Sequence, residues 1–209
     1  MVAHRSSTAD PSMSATGSKS ASAETALALW HAATAAAKPP DGVTVRPMKP
    51  SDIGAIAAIM QESFNNQAYT TERMTRMIED CGLNGFVAVH DEKPVALVLY
   101  VHWDRALYVA EMATQDGWRG RGVGSALMRT MVELCRLEGW DGMWLHTWRH
   151  NLDGQKFYLA HGFEIFGLEP NAYGPREGDD AYVMVWGERF WQDVRARFET
   201  YLELWRCQA

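Results

Sequence analysis

Apolar and polar positions alternate along this chain with two periods, one near two residues and one near 3.6. Val123, Leu127, Met131, Leu134 and Cys135 recur at three- and four-residue steps, and Gly139 follows as a stop, so the pattern predicts a helix behind residue 122. "IGAIAAIMQESF" (53–64) predicts a second helix, which Ser51 or Asp52 would cap, and "TTERMTRMIEDCG" (70–82) a third that stops at Gly82. "LDGQKFYLAH" (152–161) predicts another. Strand-like runs fall between them. Val43 and Val45 point one way in "VTVRPMKPSD", "GFVAVHDEKPVALVLYVHW" (85–103) predicts a hairpin about a polar turn with Pro94, and "ALYVAEMAT" (106–114) predicts one more strand. "MWLHTW", "FEIFGLE" and "AYVMVW" predict three others. Strands interleaved with helices in this order describe an α/β or α+β fold, a mixed sheet with helices on its faces.

The two ends of the chain differ from this middle. Residues 1–22 are rich in serine with few bulky apolar residues, which predicts a disordered tail; its poverty in acids bears a faint likeness to an organelle-targeting segment. "ETALALWHAATAAAK" (24–38) is alanine-rich and helical in propensity, with Leu27, Trp30 and His31 along one side, and Pro39-Pro40 ends it. Residues 188–209 carry Phe190, Val194, Phe198, Tyr201 and Trp205 at helical spacing, an amphipathic helix that would pack on its own domain or on a second copy as a homodimer. The organisation expected is a tail at 1–22, an alanine-rich helix and linker at 23–41, one folded domain at 42–187 and a helical extension at 188–209.

Charge and composition narrow the function. The net charge of −6 over 209 residues argues against a nucleic-acid partner. No run approaches ~18 uninterrupted apolar residues, so no membrane span is expected. The three cysteines, Cys81, Cys135 and Cys207, form no CxxC pair; a reducing, cytoplasmic setting and no metal site are expected.

Chemistry concentrates at "DGWRGRGVGSALM" (116–128), a glycine-rich turn between a strand and an amphipathic helix. A Walker loop needs a lysine and a hydroxyl after its last glycine, whereas Gly122 is followed by Val123. A dinucleotide fingerprint needs a third glycine where Ser125 stands. What remains, Arg119-x-x-Gly122-x-Gly124, suits a pyrophosphate: unpaired amides from Arg119 through Gly120, Arg121, Gly122, Val123 and Gly124 to Ser125 gather at a positive helix end.

This pattern resembles the GNAT superfamily of acyl-CoA-dependent N-acetyltransferases. "NLDGQKFYLAHGF" resembles the family's fifth-strand exit and following helix, and "VTVRPMKPSD" its first strand, so the resemblance covers about residues 43–186. It implies the GNAT fold, with a mostly antiparallel central sheet, and acetyl-CoA as donor. It further implies pantetheine pairing near Met112 and Thr114, Asn151 as a further donor-site residue, and Tyr158 as the acid for the departing thiolate. Gly154 departs from the family's usual alanine, a cost to that helix of ~1 kcal/mol.

Acetyl transfer needs a neutral amine. Deprotonation at pH 7 costs ~1.4 kcal/mol for an α-amine with pKa ~8 and ~5 kcal/mol for a lysine with pKa ~10.4. Within the family, those that acetylate protein N-termini beginning with methionine hold a water between a tyrosine and a histidine; Tyr108 and His146 match those positions. Glu111 is the rival base. Three residues from Tyr108, it faces the opposite way in a regular strand, so both cannot serve unless a bulge re-aims one. On the substrate side the resemblance is partial. Phe64 stands where that group carries Phe-Pro before its peptide pocket, without the proline, and Tyr69 would line that pocket. Tyr173 ends an Asn171-Ala172-Tyr173 run that lacks one of that group's two tyrosines. The acceptor expected is a protein or peptide N-terminal α-amine. The alternatives are a small polyamine-like amine drawn by Glu62, Glu169, Glu177, Asp179 and Asp180, and a CoA-binding regulatory module without activity.

Overall fold

The computed structural model describes residues 23–103, 105–174 and 180–187. The expected tail at 1–22 and the expected helix at 188–209 lie outside those residues. The chain divides into two compact units, one running through Trp140 and the other starting at Asp141.

In the first unit the elements are α1 (Ala23–Ala35), β1 (Val43–Pro47), a 3-10 turn at Pro50–Asp52, α2 (Ile53–Phe64), α3 (Thr71–Cys81), β2 (Asn84–His90), β3 (Lys93–Trp103), β4 (Ala106–Thr114), a second 3-10 turn at Asp116–Trp118 and α4 (Val123–Glu138). Strands β1 to β4 pair in chain order, each antiparallel to the next. β3 is apolar without alternation because helices cover both of its faces. On one face Leu97 and Leu99 pack with Ile56 and Met60 of α2 and Met74 of α3. On the other, Phe86 stacks on Tyr100 and takes Trp30 of α1 edge-on. Arg129 of α4 holds the end of that layer, donating to the carbonyls of Ala37 and Lys38, both at 2.8 Å.

The second unit holds β5 (Gly142–Trp148), α5 (Leu152–Ala160), β6 (Glu164–Glu169) and β7 (Ala181–Trp186), with β7 between β5 and β6 and antiparallel to both. The expected mixture of mostly antiparallel strands and helices is therefore found in both units.

Four local expectations are corrected. The hairpin turns at Asp91 and Glu92, both at positive φ, while Pro94 lies inside β3 beside a bulge where Ala88 pairs with Ala96 and Val89 with Pro94. In α1 the covered side is Trp30 and Ala33, with Leu27 and His31 exposed, because an alanine-rich helix can pack closely on its small residues. Asp52 stands at the N-cap of α2 without capping it: its carboxylate instead takes two hydrogen bonds from Arg46, at 2.7 and 2.8 Å, and one from the Lys49 amide at 2.8 Å. Finally, Gly154 belongs where it is. A Cβ there would lie 2.4 Å from Nδ2 of Asn151, the side chain that caps α5 by accepting from the Gly154 amide at 2.9 Å.

Candidate active site

β4 carries the first group of candidate residues, and a bulge arranges them. Val109 pairs with Tyr100 and Glu111 with Leu99, leaving Ala110 as the extra residue. Tyr108 pairs with Val101, which lies two residues from Leu99 on β3 and so faces the same side. Tyr108 and Glu111, three apart in sequence, therefore share one face. A regular strand would have turned them apart; the inserted residue resets the period.

That face looks towards α2, α3 and the segment between them. Tyr69 closes it, donating its hydroxyl to Oε1 of Glu111 at 3.4 Å. Its placement is built locally. Asn65 ends α2 at a positive φ of 46°, and Gln61 Nε2 donates to the Tyr69 carbonyl at 2.8 Å. The Phe64 ring lies 5.8 Å from the Tyr69 ring. Thr70 then caps α3 by accepting from the Arg73 amide, which sets the Arg73 guanidinium 5.3 Å from the Tyr69 ring centre.

Electrostatically, burial dominates. It pushes the Glu111 carboxyl up to about 7, against the Tyr69 hydrogen bond and the Arg73 charge, which pull it down. Burial first, and the Glu111 charge second, push the Tyr69 phenol far above its ordinary value, so at neutral pH it keeps the proton it donates to Glu111. Glu111 is thus a carboxylate poised to take a proton near neutrality.

The glycine loop enters α4 as the spacing predicts. Gly120 and Gly122 have φ of 72° and 84°, and a Cβ on either would meet nothing within 4 Å, so backbone conformation rather than packing demands glycine there. No side chain caps α4, and its first internal bond runs from the Ala126 amide to the Gly122 carbonyl at 3.0 Å. The amides of Val123, Gly124 and Ser125 precede that bond at the positive end of a sixteen-residue helix. Arg119 braces the loop, reaching the Thr114 carbonyl at 3.0 Å and Asp116 at 2.9 Å, and Arg121 lies over the Trp118 ring. An open, glycine-shaped cradle of amides with cations beside it fits the diphosphate of a coenzyme A. Met112 and Thr114 are half-buried on β4, and the Thr114 carbonyl also accepts from Ser63 at 3.4 Å.

The second unit holds the other candidates. On β5, Met143, Leu145 and Thr147 are buried, and His146 lies on the opposite face with Trp144 and Trp148. His146 Nε2 stands 2.6 Å from Glu169 Oε2 at the end of β6. That bond is the main reason the Glu169 carboxyl lies below its usual range, with burial opposing it. Tyr158 is half-buried on α5, its ring against Phe157 and Phe163. Tyr173 packs its ring 5.2 Å from that of Trp148. The Asn151 side chain spans the α5 cap and Thr147, donating to Thr147 Oγ1 at 3.4 Å.

Two residues escaped the sequence reading. Arg73 has no motif to mark it; its spacing of four from Tyr69 across a helix cap is the only signal. In the sequence Glu169 is marked only as one of the acids that would draw a polycation, and folding pairs it with His146. Among the described residues, no three His, Cys, Asp or Glu side chains gather as a metal site, and no helix is long and apolar enough to cross a membrane.

A bulged strand with a buried carboxylate leads directly into a glycine cradle at a helix entry, an arrangement suited to a diphosphate-bearing ligand. Residues 54–163, just over half of the chain, match the acetyltransferase (GNAT) family, and the chain belongs to it. It is 32% identical over 111 residues to streptothricin acetyltransferase of Streptomyces lavendulae, across 51% of this chain and 59% of that one. It is 42% identical over 88 residues to the L-amino acid N-acetyltransferase AaaT of Escherichia coli K12, across 39% of this chain and 52% of that one. The chain thus spans between half and three-fifths of the length of these two relatives. Among solved structures it resembles Ard1 from Thermoplasma volcanium, with a TM-score of 0.63 and 26% identity over 69% of this chain and 96% of that one.

Proposed function

We propose that this chain transfers the acetyl group of acetyl-CoA to a primary α-amine, with Glu111 as the base. The observation that carries the reading is the Glu111 carboxyl, brought to the Tyr108 face by the β4 bulge and pushed up to about 7. An α-amine with pKa ~8 lies about one unit from such a base, a transfer costing ~1.4 kcal/mol, whereas a lysine amine would cost ~4.6 kcal/mol. The magnitudes favour an α-amine. Its nitrogen attacks the thioester carbonyl carbon, the C–N bond forms and the C–S bond breaks. Glu111 takes one proton from the ammonium before attack, and the thiolate takes that of Tyr158, the role the family resemblance gives that residue. The second proton that nitrogen sheds as the amide forms returns through solvent to restore the tyrosine. The amides of Val123, Gly124 and Ser125, with Arg119 and Arg121, would hold the diphosphate.

A peptide or protein N-terminus carries such an amine. A free amino acid, whose carboxylate holds its ammonium more tightly, joins the class where that carboxylate is paired with a cation, and the Escherichia coli relative is named for L-amino acids. A polycationic acceptor finds less support. Glu62 is engaged by the Asp116 amide, Glu169 by His146, and Asp180 by Arg149 and the Asn171 amide. Glu177 and Asp179 lie outside the described residues. A second reading gives the proton to His146 and is favoured by its 2.6 Å bond to Glu169, since a carboxylate there would orient the ring.

CoA release measured from about pH 5 to 9, with a Met-Leu peptide, an N-blocked lysine peptide, leucine and spermidine as acceptors, tests the reading. Turnover is expected with α-amines and to rise through the Glu111 value near 7. Glu111→Gln should lower it about 100-fold or more. A larger loss in His146→Ala than in Glu111→Gln moves the base to His146. Turnover with spermidine alone removes the α-amine reading, and no turnover with retained CoA binding favours the regulatory module.

A further inference from the structure

We propose that Arg73 is a carboxylate-binding residue of the acceptor site, so that the acceptor is a free α-amino acid rather than a peptide. The inference rests on the α-amine reading and narrows it. The Arg73 guanidinium is half-buried over the Tyr69 ring, whose hydroxyl reaches Glu111. Among the described residues it makes no ion pair and no side-chain hydrogen bond, unlike Arg46, Arg119, Arg129 and Arg149 of the same protein. Half-buried guanidinium groups are ordinarily satisfied, because five donors without acceptors carry a desolvation cost. Here the cation is held in place from both ends: the Thr70 cap fixes its backbone, and Tyr69 is pinned by Gln61 and flanked by Phe64. Its field reaches Glu111 as well as Tyr69.

A group that takes a proton from an amine and a fork of donors that takes a carboxylate thus meet around one aromatic ring. An α-amino acid carries amine and carboxylate on a single carbon, so it can engage both at once. The pairing also assists the chemistry. A free α-carboxylate stabilises the neighbouring ammonium and makes its proton harder to remove, and an arginine on the carboxylate cancels that effect. The Phe64 ring, 5.8 Å from that of Tyr69, offers an apolar surface for an apolar side chain.

The test compares kcat/KM for leucine, leucinamide and a leucine-initiated peptide in the full chain and in Arg73→Met, with acetyl-CoA saturating. The intact protein should prefer leucine. In Arg73→Met the leucine-to-leucinamide ratio should fall about 10- to 100-fold, the scale of a lost charge-assisted pair. Differences in amine basicity cancel in that ratio of ratios. A loss shared equally by both acceptors, or a rise in the KM for acetyl-CoA alone, overturns the assignment, as does a peptide used as well as leucine by the intact protein. If Arg73→Met does not fold, Arg73→Gln and the acceptor preference of the intact protein decide the matter. Failure of the α-amine reading is distinct: it appears as no turnover with any of the three acceptors while CoA binding persists.

Discussion

At Glu111 three influences compete, and each has an address. Burial raises the carboxyl, while the Tyr69 hydroxyl and the Arg73 cation lower it, and burial prevails. Tyr69→Phe removes one lowering influence and keeps the ring in place beside Phe64 and Arg73. The Glu111 value should then climb beyond 7, and the acidic limb of the kcat/KM profile should move up by about half to one unit, the size of one net hydrogen bond. A profile that stays in place or moves down would detach Glu111 from the titration that the rate follows. Residue identity at these positions was legible in the sequence: Tyr69, Tyr108, Glu111 and His146 were all marked as candidates. Their relations were not. The Tyr69–Glu111 bond joins positions 42 residues apart and the His146–Glu169 bond positions 23 apart, and no local pattern encodes such contacts.

Elements were read more completely than side chains. β4, α3 and α4 form where apolar spacing and their glycine stops place them, because those signals act within a few residues. The hairpin turn was misplaced because Asp91 and Glu92 adopt the left-handed conformation that hairpin turns use, although neither is glycine. The bulges in β2–β3 and β4 had no sequence mark at all, being settled by pairing with the neighbouring strand. α5 offers a test at this scale. By propensity alone Gly154→Ala should stabilise a helix by ~1 kcal/mol. The Asn151 cap occupies that space, so the variant should instead be destabilised by about 1 kcal/mol, the value of a lost N-cap, in urea unfolding. Stabilisation would mean that the cap can move aside at little cost.

Across the whole molecule, two carboxylates bend stability with pH in opposite directions. The Asp52 side chain is only 5% exposed, yet its pKa is lowered: burial opposes ionisation, and the Arg46 and Lys49 hydrogen bonds and charges outweigh it. A lowered native pKa adds stability above the unfolded value near 3.8, and that stability is lost as pH falls through the native value. Glu111 is raised, so it subtracts stability as pH climbs from about 4.5 to 7. Arg46→Met leaves the buried Asp52 carboxylate without its cation and should cost about 2 kcal/mol near neutral pH, discounted from a fully buried pair because Arg46 is partly exposed. The deficit should shrink below about pH 4 as Asp52 protonates, and urea unfolding at both pH values checks it. At this scale the amino-acid pattern determined which segments become helices or strands, where the glycine cradle lies and which family the chain resembles. Each of these depends on neighbours within a turn or two of chain. Only the tertiary structure decided that an inserted Ala110 brings Tyr108 and Glu111 to one face, that burial poises Glu111 near neutrality, and that Arg73 stands beside them. Register, dielectric environment and proximity arise from packing between distant segments, and a single chain read in order does not contain them locally.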